Sequence, residues 1–83
     1  MAFYLYILYS RSHDRFYVGQ TKDIEKRLER HNKGMVPSTK SYIPWEIVYN
    51  EKFETRTEAV KTENQIKSWK SKIKIKELVF TSR

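Results

Sequence analysis

The chain has 83 residues, room for one small domain and no more. With 17 Lys and Arg against 10 Asp and Glu it carries a net charge of +7, a field that suits a polyanionic partner, and nucleic acid is the commonest polyanion. The absence of cysteine excludes a disulfide framework and a thiolate zinc site, and no apolar run approaches the roughly 20 residues that span a bilayer. MAFYLYILYS at the N-terminus lacks the basic leader and cleavage site of a signal peptide, so a soluble, cytoplasmic protein without a membrane partner is expected.

Residues 3 to 9, FYLYILY, are aromatic and aliphatic without Gly or Pro, and predict a buried strand. SRSHD supplies turn chemistry, and RFYVG follows as a second strand, so the two form a hairpin. From Asp23 the pattern becomes helical, with Ile24 and Leu28 four apart. Thr21 or Asp23 stands where a cap would start this helix, and Gly34 where it would end. Residues 34 to 44, GMVPSTKSYIP, read as a polar loop that is extended before Pro44. WEIVYNEKF alternates Trp45, Ile47 and Tyr49 with polar neighbours, the pattern of a strand with one buried face.

Thr55-x-x-Glu58 opens a second helix running to about Trp69, with Ala59, Glu63, Ile66 and Lys70 on one stripe. In the tail, Ile75, Leu78 and Val79 favour a short third helix over the strand that KIKIK also permits. The expected class is α+β, a three-stranded antiparallel sheet flanked by helices in the order β-β-α-β-α-α, with residues 1–83 as one domain.

Several polar residues fall where apolar ones belong. Ile24, Arg27, Leu28 and His31 share one helix face, because positions three, four and seven apart stack. Helix geometry alone allows a snorkelling Arg27 and a His31 that favours the helix C-terminus. Glu63 lies on the inward stripe of the second helix, where a carboxylate needs a cation, either Arg27 or a lysine. If the hairpin turn centres on Arg11 and Ser12, Tyr6 and Tyr17 come directly opposite each other, an arrangement that also describes an ordinary cross-strand aromatic pair. Taken together, two phenols, a guanidinium, an imidazole and a carboxylate suit phosphodiester cleavage. The carboxylate holds a divalent cation, and the guanidinium matches charge growing on the phosphoryl oxygens. A free phenol with a pKa near 10 needs a neighbouring cation to serve as base at neutral pH, and Lys22, Lys26 and Arg27 are near in sequence.

Tyr4-Leu5-Tyr6, Tyr17-Val18-Gly19, the helix KDIEKRLERH and the segment STKSYIPW (38 to 45) together resemble the GIY-YIG nuclease superfamily over most of the chain, in its small stand-alone, uncharacterised form. The resemblance implies a metal-dependent DNA endonuclease, in a superfamily that includes the incision subunit of nucleotide-excision repair, homing endonucleases and restriction enzymes. It implies that Glu63 is the single protein ligand for Mg2+ or Mn2+, that Arg27 stabilises the transition state, and that Tyr17, aided by Tyr6, is the base or water-positioning group. His31 matches a position that is often His, and Gly19 keeps the strand open beside the catalytic tyrosine. Two departures stand out: Tyr4 replaces the glycine of the first motif, and the asparagine many members carry after the Glu-bearing helix has no counterpart beyond Asn64.

The expected substrate is branched, nicked or duplex DNA in repair or recombination, with selectivity from the protein's own surface or a protein partner. Lys22, Arg30, Lys40, Lys67 and Lys70, and more broadly the lysines up to Lys76, are candidates for backbone contact, although solvated helix surface accounts for each one singly. The alternatives are a catalytically inactive nucleic-acid-binding module on the same fold and an adaptor for an acidic protein.

Overall fold

The computed structural model describes residues 2–81. Three strands, β1 (Phe3–Ser10), β2 (Arg15–Thr21) and β3 (Glu46–Phe53), form an antiparallel sheet in the order β2-β1-β3. Helices α1 (Ile24–Asn32), α2 (Arg56–Ser68) and α3 (Lys72–Thr81) and a 3-10 turn at Lys40–Tyr42 complete the chain, so the expected order and α+β class hold.

β1 is central, and Leu5, Tyr6, Ile7 and Leu8 are all buried because both faces of the sheet are covered. On one face Tyr6, Leu8 and Trp45 pack with Tyr17, Leu28, Tyr42, Ile43 and Ile47, the side of α1 and the 34–44 loop. On the other, Leu5, Ile7 and Val18 pack against Ile66 of α2 and Val79 of α3. Leu28 of α1, Ile66 of α2 and Val79 of α3 are thus among the apolar side chains that cover the sheet.

The hairpin differs from the expected register by two residues. Ser10 pairs with Arg15, so the turn spans residues 11–14, Tyr6 lies opposite Gly19, and Leu8 lies opposite Tyr17. A shift of two preserves every side chain's face, which is why Tyr6 and Tyr17 still share one. Asp14 fixes this longer turn. It sits at φ 49, a conformation Asp tolerates, accepts a hydrogen bond from the Tyr9 hydroxyl at 2.7 Å and pairs with Lys72 of α3 at 3.0 Å. The Tyr9 hydroxyl and the Lys72 ammonium hold its carboxyl below the usual range.

β3 departs from simple alternation. A bulge lies between the pairs Ile7–Tyr49 and Leu8–Ile47, so Ile47 faces α1 while Val48, Tyr49 and Phe53 pack on the α2–α3 side. One extra residue in the strand moves all that follows to the opposite face. Trp45 and Ile47 therefore do share a buried face as expected, and Tyr49 does not.

Asp23, not Thr21, caps α1, its Oδ1 accepting from Lys26 N at 3.1 Å, while Thr21 Oγ1 accepts from Asp23 N. Gly34 at φ 75 follows the helix end as expected. Thr55 caps α2, accepting from Glu58 N at 3.3 Å, but the Glu58 carboxylate accepts from the Thr55 hydroxyl at 3.0 Å instead of reaching back to a backbone N–H. Lys70, expected on the α2 stripe, lies beyond the helix at φ 48 in the turn that leads to α3.

Candidate active site

Helix α1, the middle of β1 and β2, and α2 carry the five residues singled out by sequence. Gly19 is the pivot. A Cβ there would lie 2.6 Å from Tyr6 Oη and 2.7 Å from its Cζ, so the Tyr6 ring lies across the bare glycine backbone. This close approach explains the tyrosine-glycine pairing more directly than an open strand end does.

Tyr6 is only 1% exposed, and its hydroxyl meets His31 Nε2 at 3.1 Å. His31, also 1% exposed, uses its other nitrogen, Nδ1, to reach Thr39 Oγ1 at 2.8 Å. Tyr17 closes the cluster, its ring centroid 4.8 Å from that of His31 and 6.3 Å from that of Tyr6. His31 therefore does not end the helix in solvent; the helix delivers it into the interior.

Arg27 is half-buried, and its Nε is buried without a hydrogen-bond partner. An unmade charged hydrogen bond is costly in a small fold, and here it falls on one donor of a guanidinium that elsewhere hydrogen-bonds the Tyr6 hydroxyl. Glu63, largely covered, pairs with Lys67 one turn on at 2.6 Å, and Lys67 Nζ lies 5.9 Å from the Tyr17 ring centre. β2 is an edge strand, so α2 side chains reach Tyr17 around the open edge of the sheet. Of the two expected cations for Glu63, the lysine is the one it contacts.

Electrostatics draws the set together. Burial, and after it Tyr17, push the Tyr6 hydroxyl up to about 12; a hydrogen bond from Arg27 and then its charge oppose the rise, and Glu63 adds to it. Tyr6 thus keeps its proton at neutral pH. Burial, and then the cations of Arg27 and Arg30, push His31 down to about 4. A buried neutral histidine has a stability signature. Between pH 6.5, its ordinary value, and pH 4, the unfolded chain takes up the proton more readily, so the contribution is complete above 6.5 and is lost as pH falls toward 4. Urea midpoints measured across this window should fall more steeply for the wild type than for His31→Gln. Parallel curves would remove the assignment.

The other expected contact residues divide. Lys67 and Lys70 line a cleft beside Tyr17 together with Arg15 and Lys72. Lys22 lines a separate concavity beside Tyr4 and lies over the Phe3 ring. Arg30 and Lys40 are exposed and line neither. Thr39 and Asn32 went unrecognised as site supports in the sequence. The Asn32 side chain grips Trp45 N at 2.6 Å and Trp45 O at 3.0 Å, and Trp45 Nε1 donates to Thr39 O at 2.9 Å, pinning the loop onto α1. The STKS segment was visible, but a threonine in a polar loop carries no signal that its hydroxyl is buried.

A divalent cation fits this site in one way only. Among the described residues no group of three or more His, Asp or Glu could cage a metal. Glu63 offers a single carboxylate, the donor set of a cation that shares its shell with substrate phosphate and water.

A tyrosine-bearing hairpin followed by a helix with an inward arginine and a buried histidine is the arrangement of a nuclease-family catalytic domain. The chain belongs to the GIY-YIG family: the model of the GIY-YIG catalytic domain matches residues 2–76. Among relatives, it is 40% identical over 74 residues to the UPF0213 protein SSP2268 of Staphylococcus saprophyticus, covering 88% of this chain and 89% of that one. A UPF0213 protein of Staphylococcus aureus is 39% identical over 61 residues, covering 72% of this chain and 74% of the relative. The solution NMR structure of the UPF0213 protein BH0048 from Bacillus halodurans superposes with a TM-score of 0.61 at 29% identity, over 98% of this chain and 85% of that one. Among the described residues no helix is long and apolar enough to cross a membrane.

Proposed function

We propose that this protein is a divalent-metal-dependent DNA endonuclease, with Glu63 as the protein ligand to Mg2+ or Mn2+. The observation that carries the reading is Arg27: a guanidinium whose buried Nε has no acceptor, held beside the Tyr6–Tyr17 pair and within the electrostatic reach of Tyr6, as is Glu63. A phosphate oxygen supplies the missing acceptor, and Arg suits it better than Lys because its donors are planar and fixed.

In this reading water attacks the phosphorus and the bond from phosphorus to the leaving deoxyribose oxygen breaks. Tyr6 orients the water, and Tyr17 takes its proton while passing its own hydroxyl proton to solvent. Arg27 balances the charge that develops on the phosphoryl oxygens. A bound divalent cation would add Lewis-acid stabilisation of the phosphate and of the leaving oxygen. Lys67 and Lys70, beside Tyr17, track the adjacent DNA backbone, with Lys22, Arg30 and Lys40 as outlying contacts. Repair or recombination is the setting that branched or nicked substrates would indicate, with a protein partner adding selectivity.

Incubation of wild type and Glu63→Ala with branched, nicked and linear DNA in Mg2+ or Mn2+ tests the proposal. Metal-dependent cleavage by the wild type, reduced at least a hundredfold in the variant, is expected on the scale of lost transition-state electrostatics. Equal cleavage by both removes Glu63 from the metal. If neither cleaves but both bind DNA, the protein is a binding module on a nuclease fold. The binding constant should also fall by about tenfold or more between 50 and 200 mM salt if several phosphates are contacted. A salt-independent constant would leave the basic face without that role.

A further inference from the structure

The edge strand β2 and the turn from α2 to α3 border a cleft of about 550 Å3 that opens beside Tyr17. Three features set it apart from plain basic surface. Its floor is apolar, with half-buried Phe16 and Ile75 lying over Val18 and Ile66 in one cluster. One wall is the free side of β2 at residues 14 to 18, where alternate residues of an antiparallel edge strand present both an N–H and a C=O outward. The rim carries four exposed cations, Arg15, Lys67, Lys70 and Lys72. Asp14, the carboxylate on that rim, is offset by Lys72 at 3.0 Å and Lys76 at 3.8 Å.

Lys70 is the rim cation with nothing to hold. Lys67 pairs with Glu63, Lys72 with Asp14, and the Arg15 guanidinium lies 4.5 Å from the Tyr42 ring centre. Lys70 makes no ion pair or hydrogen bond among the described residues. It also stands at φ 48, a left-handed conformation in which Gly or Asn costs less than lysine. A lysine at that backbone cost sets a free charge at the mouth of the cleft.

We propose that this cleft is a subsite for one unpaired nucleotide of a DNA strand, next to the phosphate at Tyr17, with the base on the apolar floor and the nucleotide's own phosphate on Lys70. The proposal rests on the nuclease reading for that neighbouring phosphate, but the cleft binds its nucleotide with or without cleavage. Duplex DNA keeps its bases stacked and paired, so its backbone engages the rim and leaves the floor and the strand edge idle. An unpaired nucleotide engages all three: cations meet its phosphate, apolar side chains its base faces, and backbone groups its base edge. The volume falls within the roughly 300–1,000 Å3 of pockets that take one small ligand.

Fluorescence anisotropy in EDTA, where no metal-dependent cleavage occurs, tests this on the full chain. One probe is a duplex with a short single-stranded thymidine tail; the other has a tail of abasic deoxyribose phosphates, equal in charge. The wild type is expected to bind the thymidine tail about tenfold more tightly, the scale of one seated base. Lys70→Asn removes the charge at a conformation that Asn tolerates, and should weaken thymidine-tail binding about tenfold. Lys61→Gln, at an exposed lysine of α2 outside the cleft, should stay within about twofold of the wild type. Amide spectra of the 15N-labelled protein with the two probes should differ at residues 16 to 18 and at Ser71.

Equal affinity for the two tails overturns the proposal and reduces the cleft to a phosphate track. A base preference whose amide shifts centre on α1 or the 34–44 loop, or a Lys70→Asn variant that binds as tightly as the wild type, overturns the assignment to this cleft. A base preference seated at the cleft, in a protein that cleaves no DNA with Mg2+ or Mn2+, keeps the subsite and removes the nuclease reading.

Discussion

Arg27→Leu is expected to cleave DNA at least a hundredfold more slowly while melting within about 5 °C of the wild type. Two opposed effects set its stability. Arg27 Nε is buried without a hydrogen-bond partner, a desolvation cost that leucine removes, while the guanidinium also hydrogen-bonds the Tyr6 hydroxyl, a contact that leucine loses. Each is worth about 1 kcal/mol, so they nearly cancel. The same change removes the planar cation that meets the phosphoryl oxygens, and loss of such a group costs about 10²- to 10³-fold in kcat. Arg27→Lys retains charge without the fixed donors and should fall between the two. Scanning calorimetry with single-turnover cleavage decides: a Leu variant that melts more than about 10 °C lower would make Arg27 chiefly structural, and wild-type cleavage by it would end its catalytic role.

Gly19→Ala should destabilise the fold by about 3 kcal/mol, although it adds one methyl group. The new Cβ would meet Tyr6 Oη at 2.6 Å and Cζ at 2.7 Å. The tip of a tyrosine usually moves aside, but this one is 1% exposed and bonded to a buried histidine. Relief of the clash therefore breaks the Tyr6–His31 hydrogen bond or pushes apart the Tyr6, Leu8 and Trp45 cluster. A double-mutant cycle with Tyr6→Leu separates these causes from a general strand effect, since contacting residues couple and independent ones add. In the Tyr6→Leu background the cost of Gly19→Ala should drop below about 1 kcal/mol. Additive costs would show that the glycine matters for something other than Tyr6.

The sequence carried the elements because their periods are local. Ile24 and Leu28, the Thr55 cap and the 75–79 apolar triplet each report on their own segment. It carried the shared face of Tyr6 and Tyr17 for a similar reason: their separation is odd, and an antiparallel hairpin turned about a half-integral centre keeps such pairs on one side. The register depended on Asp14, whose left-handed backbone and ties to Tyr9 and Lys72 lengthen the turn, and Lys72 lies 58 residues away in the chain. The β3 bulge was hidden likewise, because Ile47, Val48 and Tyr49 are all suited to a strand and only the pairing to Ile7 and Leu8 shows which faces where.

The site was legible as a list of misplaced polar residues but not as a network. Arg27, His31 and Glu63 betrayed themselves by standing on apolar stripes. Thr39 stood in a polar loop, where a hydroxyl is unremarkable, and became part of the site only when Trp45 and Asn32 folded that loop over α1. Lys67 was expected to meet DNA, yet its nearest contact is Glu63. Spacing of four made that ion pair available in the sequence, as one of the two cation partners it offers Glu63 beside Arg27.

Mn2+ relaxation enhancement of the 15N-labelled protein tests most directly whether Glu63 holds a divalent cation close to Tyr17 and Arg27. Paramagnetic broadening needs only a small bound fraction, so a single-carboxylate site is within reach. The amides of Gly19, Arg27 and Glu63 should broaden together at low Mn2+, and Glu63→Gln should abolish the effect at all three while leaving the spectrum otherwise folded. Broadening that centres on Asp14 or another surface carboxylate, or that survives unchanged in Glu63→Gln, would contradict the account.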